Sequence, residues 1–214
     1  MAKPVKHQAV IGLIKLMLKM NTEYRKILTK LINKYYSLSH KDHRLIMEQC
    51  KTGHFAKQEH LVESGQKEDS EYFLLDGIVH RYTLVEKGEF VTTGFYMAPA
   101  IITPNFARIS NGKSILSLQA LAKCTVAQIS VKDLDELRNS KVEIRKWGQK
   151  VVEFELKKSL KHDTWFRSSS AKERLVQLRK DYQNLENSIP HTCIASYIGI
   201  TPVSFSRLRK EMSG

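Results

Sequence analysis

The spacing of apolar residues changes twice along the chain. Val10, Ile11, Ile14, Leu18, Ile27, Leu28, Leu31 and Ile32 recur at helical intervals with lysines between them, which predicts an amphipathic helix over residues 8–36. A second short helix is predicted over 39–51, with Leu45, Ile46 and Met47 on or near one face. From about 53 to 130 the helical period disappears. Strand-like runs at 54–55, 60–62, 72–75, 78–84, 90–96, 115–121 and 125–129 alternate with turn residues: Glu63, Ser64 and Gly65; Asp76 and Gly77; Lys87 and Gly88; Asn111 and Gly112. Short strands with glycine-bearing turns predict an antiparallel sandwich or barrel, with Asp76–Gly77 and Lys87–Gly88 as hairpin turns.

Helical spacing returns at about 132, with a short turn around Leu134 and Leu137 and a long helix over 141–165. Ile144, Trp147, Val151 and Phe154 form one stripe on it, and Val152, Leu156 and Leu160 a second. Two stripes predict packing both on the helix's own domain and on a second copy of the chain. The first stripe is assigned to dimerisation. Ser168, Ser169 and Ser170 then break the pattern as a hinge, and Ser170 with Glu173 makes a capping box for a helix carrying Leu175, Leu178 and Tyr182.

The chain closes with IPHTCIASYIGITPVSFSRLRK, residues 189–210. Residues 192–198 fit two helical turns. Gly199 follows where a left-handed residue ends a helix, Thr201 is a good N-cap, and Pro202 suits the first helical position. Ala195 is small where a second helix would cross. Ile194, Ile198, Ile200, Phe205 and Leu208 supply a buried face, leaving Val203, Ser206, Arg207 and Lys210 on the other. That is the pattern of a helix laid in a DNA major groove.

Charge supports a polyanionic partner. Lys and Arg number 35 against 22 Asp and Glu, a formal net charge of +13. Residues 1–36 hold eight basic residues and one acid, Glu23; residues 160–214 hold nine basic residues and five acids. Cys50, Cys124 and Cys193 are far apart, odd in number and without metal-ligand spacing, so neither a disulfide framework, a zinc site nor a four-cysteine iron–sulfur site is expected. Reduced thiols and a cytoplasmic location are expected. The apolar run over 10–20 is interrupted by Lys15 and Lys19 and is too short to span a bilayer. It has no small-residue cleavage site, so no signal peptide is expected. Met17 and Met20 are alternative starts.

These residues carry a family resemblance. The closing stretch resembles the C-terminal motif of the Crp/Fnr transcription regulators, in the subgroup with an IASYLGIT-like run. YFLLDGIVHRYTLVEKGEFVTTGFY resembles the first hairpins of that family's cyclic-nucleotide-binding-type β-domain, and LQALAKCTVAQISVKDLDEL its last strands and following helix. The resemblance covers roughly residues 25–212. Together with the N-terminal basic helical segment read above (1–36), it implies an α+β chain: an antiparallel, jelly-roll-like β-roll sensor domain (37–138), a long dimerisation helix (139–167) and a C-terminal helix-turn-helix domain (168–214). The implied partners are double-stranded DNA bearing an inverted repeat, a second copy of the chain, RNA polymerase and an unidentified small effector. No membrane and no cofactor are implied.

The chain also departs from the family. Nucleotide-binding members carry a Gly-Glu pair, then an arginine and a small hydroxyl residue, around the cyclic phosphate. The equivalent stretch, FYMAPAIITPNFARISNGKSILSL, has no such pair, and Gly88–Glu89 belongs to an earlier turn. Arg108, Lys113 and Ser114 are the nearest candidates for ligand contact. Cyclic AMP is therefore not the expected effector; another small ligand, or none, is. The cysteine cluster of the redox-sensing branch is missing. Pro202 and Val203 stand where better-known members place an arginine and a glutamate to read base edges, so the familiar operator is not expected either. The DNA-contact set is Thr192, Thr201, Pro202, Val203, Ser204, Ser206, Arg207, Arg209 and Lys210.

An enzyme is not expected. His43, His54, His60 and His80 lack the spacing of a metal triad, and no nucleophile elbow or phosphate loop occurs. The alternative kept open is a sensor or scaffold of the same fold that acts through protein partners and no longer reads specific DNA.

Overall fold

The computed structural model describes residues 20–85 and 89–212. Helix α1 (Thr22–Asn33) starts at Asn21, whose side chain accepts a 2.7 Å hydrogen bond from the Tyr24 amide. The single helix expected over 8–36 is corrected here: Asn21 is extended, with ψ 163°, so a separate helix begins at Thr22. It ends at Asn33, and Val10, Ile11, Ile14 and Leu18 lie outside the described residues. Helix α2 (His40–Gln49) is capped in the same way by Ser39.

The β-roll follows. Its strands are β1 (Lys51–Phe55), β2 (His60–Val62), β3 (Ser70–Asp76), β4 (Ile78–Leu84), β5 (Phe90–Met97) and β6 (Ala100–Ile101). After the one-turn helix α3 (Asn105–Arg108) come β7 (Ile109–Ser110), β8 (Lys113–Ser114), β9 (Ser117–Ala120) and β10 (Cys124–Ser130). Two four-stranded antiparallel sheets, ordered β1-β10-β3-β6 and β2-β9-β4-β5, close over Leu61, Leu74, Val79, Leu118 and Val126. The strands β3 and β4 lie in opposite sheets, so Asp76 and Gly77 do not make the hairpin turn expected of them. They turn the chain from one sheet to the other. Gly77 has φ +98°, and a Cβ there would lie 2.5 Å from the Lys123 carbonyl oxygen. Strands β4 and β5 do pair as a hairpin, with Leu84 opposite Phe90; Lys87 and Gly88, the turn expected there, lie outside the described residues.

Helix α4 (Val131–Ser140) leads into the 27-residue α5 (Val142–Ser168). The first apolar stripe of α5 serves its own chain. Ile144, Trp147 and Val151 are buried with Leu28, Leu31, Ile32, Phe73 and Leu134, and the Phe73 and Trp147 rings lie 6.1 Å apart. Only Phe154 of that stripe is substantially exposed, and it meets Tyr35 edge-on at 5.1 Å. The assignment of Ile144, Trp147 and Val151 to a dimer contact is therefore corrected: no second copy can reach them. The stripe left uncovered is the second one, where Leu156 and Leu160 are 59% and 60% exposed.

Beyond α5 come α6 (Ala171–Asp181), α7 (Leu185–Ser188), α8 (His191–Tyr197) and α9 (Pro202–Glu211). The Ser170–Glu173 capping box is formed. The serine break is held in place: Arg174 donates to the carbonyls of Phe166, Ser169 and Ile198 at 3.0, 2.8 and 2.8 Å, and its guanidinium lies 4.7 Å from the Phe166 ring. Helix α8 covers the exposed edge of β5. The Ser196 hydroxyl donates to the Phe90 carbonyl and accepts from the Thr92 amide, satisfying edge groups that would otherwise be unpaired. Tyr182 donates to the Phe95 carbonyl at 3.3 Å, and Tyr197 packs on the Phe95 ring.

Candidate nucleic-acid interface

Helices α8 and α9 form a helix-turn-helix around a glycine. Gly199 has φ +72°, the Ile200 amide reaches back to the Ala195 carbonyl, and Thr201 accepts from the Ser204 amide at 3.1 Å. Ile194, Ala195, Ile198 and Phe205 are fully buried between the helices. Thr192 lies exposed at the start of α8, and Thr201, Pro202, Val203, Ser204, Ser206, Arg207 and Lys210 are all exposed on or beside α9. Val203, at the start of α9, is 61% exposed.

Three hydroxyls are already engaged. Thr201 donates to the Ser204 hydroxyl, and Ser206 donates to the Pro202 carbonyl at 3.1 Å. The outward face thus rests on the Val203 methyls, the Arg207 guanidinium and the Lys210 ammonium, three and four residues apart on one side of the helix.

Arg209 is different. Its guanidinium pairs with Glu186, approaches His191 Nδ1 at 3.4 Å and lies over the Phe205 ring. Arg179 pairs with the same carboxylate and, with Arg209, holds it below the usual carboxylate range. Arg209 is a strut tying α9 to α7, unlike the outward-facing Arg207 and Lys210. Glu186 was the missed partner, because α7 is a single turn with no period to read.

The residues expected to touch a ligand are also placed differently. Arg108 is wholly buried, donates to the Ser70 carbonyl at 2.7 Å, lies 3.5 Å from Glu71 and sits over the Tyr72 ring. Burial pushes the Glu71 carboxyl up, against its hydrogen bond from the Asn105 amide and the charge of Arg108. Ser114 is buried and donates to the Leu116 carbonyl at 2.6 Å, while Lys113 faces solvent. None of the three is among the residues that line the cavity described next; Arg108 ties the α3 turn to β3, and the Ser114 hydroxyl reaches the Arg108 carbonyl.

A cavity of about 440 Å³ does exist elsewhere, between β4, β5, the α3 turn, α5 and the two tyrosines Tyr182 and Tyr197. Its cations are Arg81 and Lys158, its carboxylate is Glu155 and its imidazole is His162. Burial, then Arg81 and Lys158, holds the His162 ring below its ordinary pKa, whereas burial pushes the Glu155 carboxyl up. Among the described residues no group of histidine, cysteine or acidic side chains is arranged to hold a metal ion.

Comparison with known proteins supports the architecture. The model of the cyclic nucleotide-binding domain matches residues 52–141. The fumarate and nitrate reduction regulatory protein of Escherichia coli is 26% identical over 171 residues, which cover 74% of this chain and 68% of that protein. FixK2 from Bradyrhizobium japonicum shares the fold with a TM-score of 0.65 at 18% identity, over 77% of this chain and 84% of that one. A transcriptional regulator of the crp/fnr family from Eubacterium rectale does so with a TM-score of 0.64 at 12% identity, over 82% and 84%. The β-roll is thus matched as that domain, and the similarity to a regulator of this kind reaches well beyond it along the chain.

Proposed function

We propose that the protein is a homodimeric, sequence-specific DNA-binding transcription regulator whose β-roll senses an effector. The observation that carries this is the helix-turn-helix: a tightly capped α9 whose outward face presents Val203, Arg207 and Lys210, with every large apolar residue of the motif except Val203 turned inward. In this reading Arg207 bonds a guanine edge, Val203 meets a thymine methyl, and Lys210 neutralises phosphate. Two copies associate along the uncovered Leu156 and Leu160 stripe of α5 and place their α9 helices in successive major grooves, about 34 Å apart. RNA polymerase is the partner through which bound protein would act on transcription.

Selection of bound duplexes from a random pool at two salt concentrations tests this. The reading predicts an inverted repeat with half-sites about 10 base pairs apart, and affinity that falls steeply with salt as phosphate counterions are released. A scaffold acting through protein partners would recover no repeat at either salt.

A further inference from the structure

The reading of the β-roll as a sensor leaves its ligand open, and the cavity between β4, β5 and α5 narrows the choice. Its deepest cation is built into the sheet. A β-bulge places Thr93 between the pairs Arg81–Gly94 and Tyr82–Thr92, so the Thr93 side chain is turned towards Arg81. The guanidinium then donates through Nε to the Thr93 hydroxyl (3.0 Å), through Nη1 to the Thr103 hydroxyl (3.0 Å) and through Nη2 to the Thr93 carbonyl (3.1 Å). Gly94 leaves room for it: a Cβ there would stand 3.4 Å from Nη2. Each of these partners is neutral. Nη1 and Nη2 each keep one N–H beyond these bonds, the paired donors that a carboxylate accepts.

Lys158 lies across the same cavity, 5.4 Å from the Tyr96 ring centroid. Neither cation makes an ion pair among the described residues. The one acid in the wall, Glu155, offsets a single positive charge, and two cations against one carboxylate leave the cavity short of one negative charge. The remaining wall is largely apolar and aromatic, including Phe95, Phe106, Tyr182 and Tyr197. Its volume is within the range of sites for small organic ligands.

We propose that this cavity binds a small organic monocarboxylate with an aromatic or aliphatic body, the carboxylate on Arg81 and Lys158 and the body against the tyrosines. A phosphate dianion would overfill the charge, and the buried Arg108 cannot reach a cyclic phosphate unless the α3 turn opens. Tyr182 and Tyr197 also dock the helix-turn-helix on β5, so the bound acid stiffens that docking.

Calorimetric titration of the full chain, without DNA, with 1-naphthoate, octanoate, 1-naphthamide, 1-naphthyl phosphate and cyclic AMP tests it. At least one of the two carboxylates should bind saturably, one per chain, and 1-naphthamide should bind about tenfold or more weaker than 1-naphthoate. Arg81→Gln should weaken carboxylate binding by a similar factor. Lys158→Gln, on an exposed stretch of α5, should weaken it without disturbing the threonine network. Equal binding of acid and amide, indifference to both substitutions, tighter binding of cyclic AMP or naphthyl phosphate, or no carboxylate binding below millimolar concentration would each overturn the proposal. Because no DNA is present, each of these results is separate from whether α9 reads an operator.

Discussion

Gly199→Ala measures how firmly the helix-turn-helix is set against the long helix. Gly199 has φ +72°, and a Cβ there would stand 2.7 Å from Cζ of Phe166, the ring that also stacks on Arg174. The left-handed conformation costs an alanine about 1–2 kcal/mol. A reduced entropy of the unfolded chain returns about 0.4–1 kcal/mol. Displacing Phe166 from Arg174 removes a further contact worth about 0.5–1 kcal/mol. The net loss is about 1–2 kcal/mol. Urea unfolding followed by tryptophan fluorescence reads it, since Trp165 lies 5.9 Å from the Tyr197 ring in the same cluster. In a Phe166→Ala background the steric part vanishes and the penalty should fall to about 0.5–1 kcal/mol, a coupling that a double-mutant cycle isolates. An unchanged midpoint for Gly199→Ala, or an identical penalty in both backgrounds, would refute this packing of the turn on α5.

Three further outcomes follow from the same geometry. Leu156→Glu with Leu160→Glu should shift the protein to monomer in light scattering at little cost to folding, whereas Trp147→Ala should cost about 3–5 kcal/mol in thermal or urea unfolding, because that ring fills the chain's own core. Arg209→Ala should lower the unfolding midpoint, since it strips a strut from Glu186, yet leave the selected DNA sequence unchanged. Burial holds the His80 and His162 rings below their ordinary pKa of 6.5, so the unfolded chain takes up protons first as pH falls. Their contribution to stability is complete above pH 6.5 and declines below it; replacing both by glutamine should flatten that decline in unfolding curves between pH 7 and 5.

What the sequence made legible was local and periodic. The Gly199 turn, the Thr201 cap, the Ser170–Glu173 box and the strands at 60–62 and 78–84 follow from residue type and spacing alone, and each is present. Partnership was less legible. The two stripes of α5 are equally apolar in sequence, and only the folded chain shows that Trp147 faces Phe73 while Leu156 faces outward. An arginine in the closing helix carries no mark of whether its charge is free, as at Arg207, or tied to an acid on another element, as at Arg209. The sheet change at Gly77 looks like a hairpin in sequence, because a tight turn between two strands has the same residues in either case. The cavity cation was missed for a related reason: Arg81 lies within a strand pattern, and it is the bulge at Thr93 that turns it into a site.

The most direct test of the central claim is a paired selection from a random duplex pool with the wild-type chain and with Arg207→Ala, both verified as dimers. The account predicts an inverted repeat for the wild type, and for the variant the loss of preference at one symmetric pair of positions with the half-site spacing retained. The same consensus from both proteins, or none from either, would contradict it.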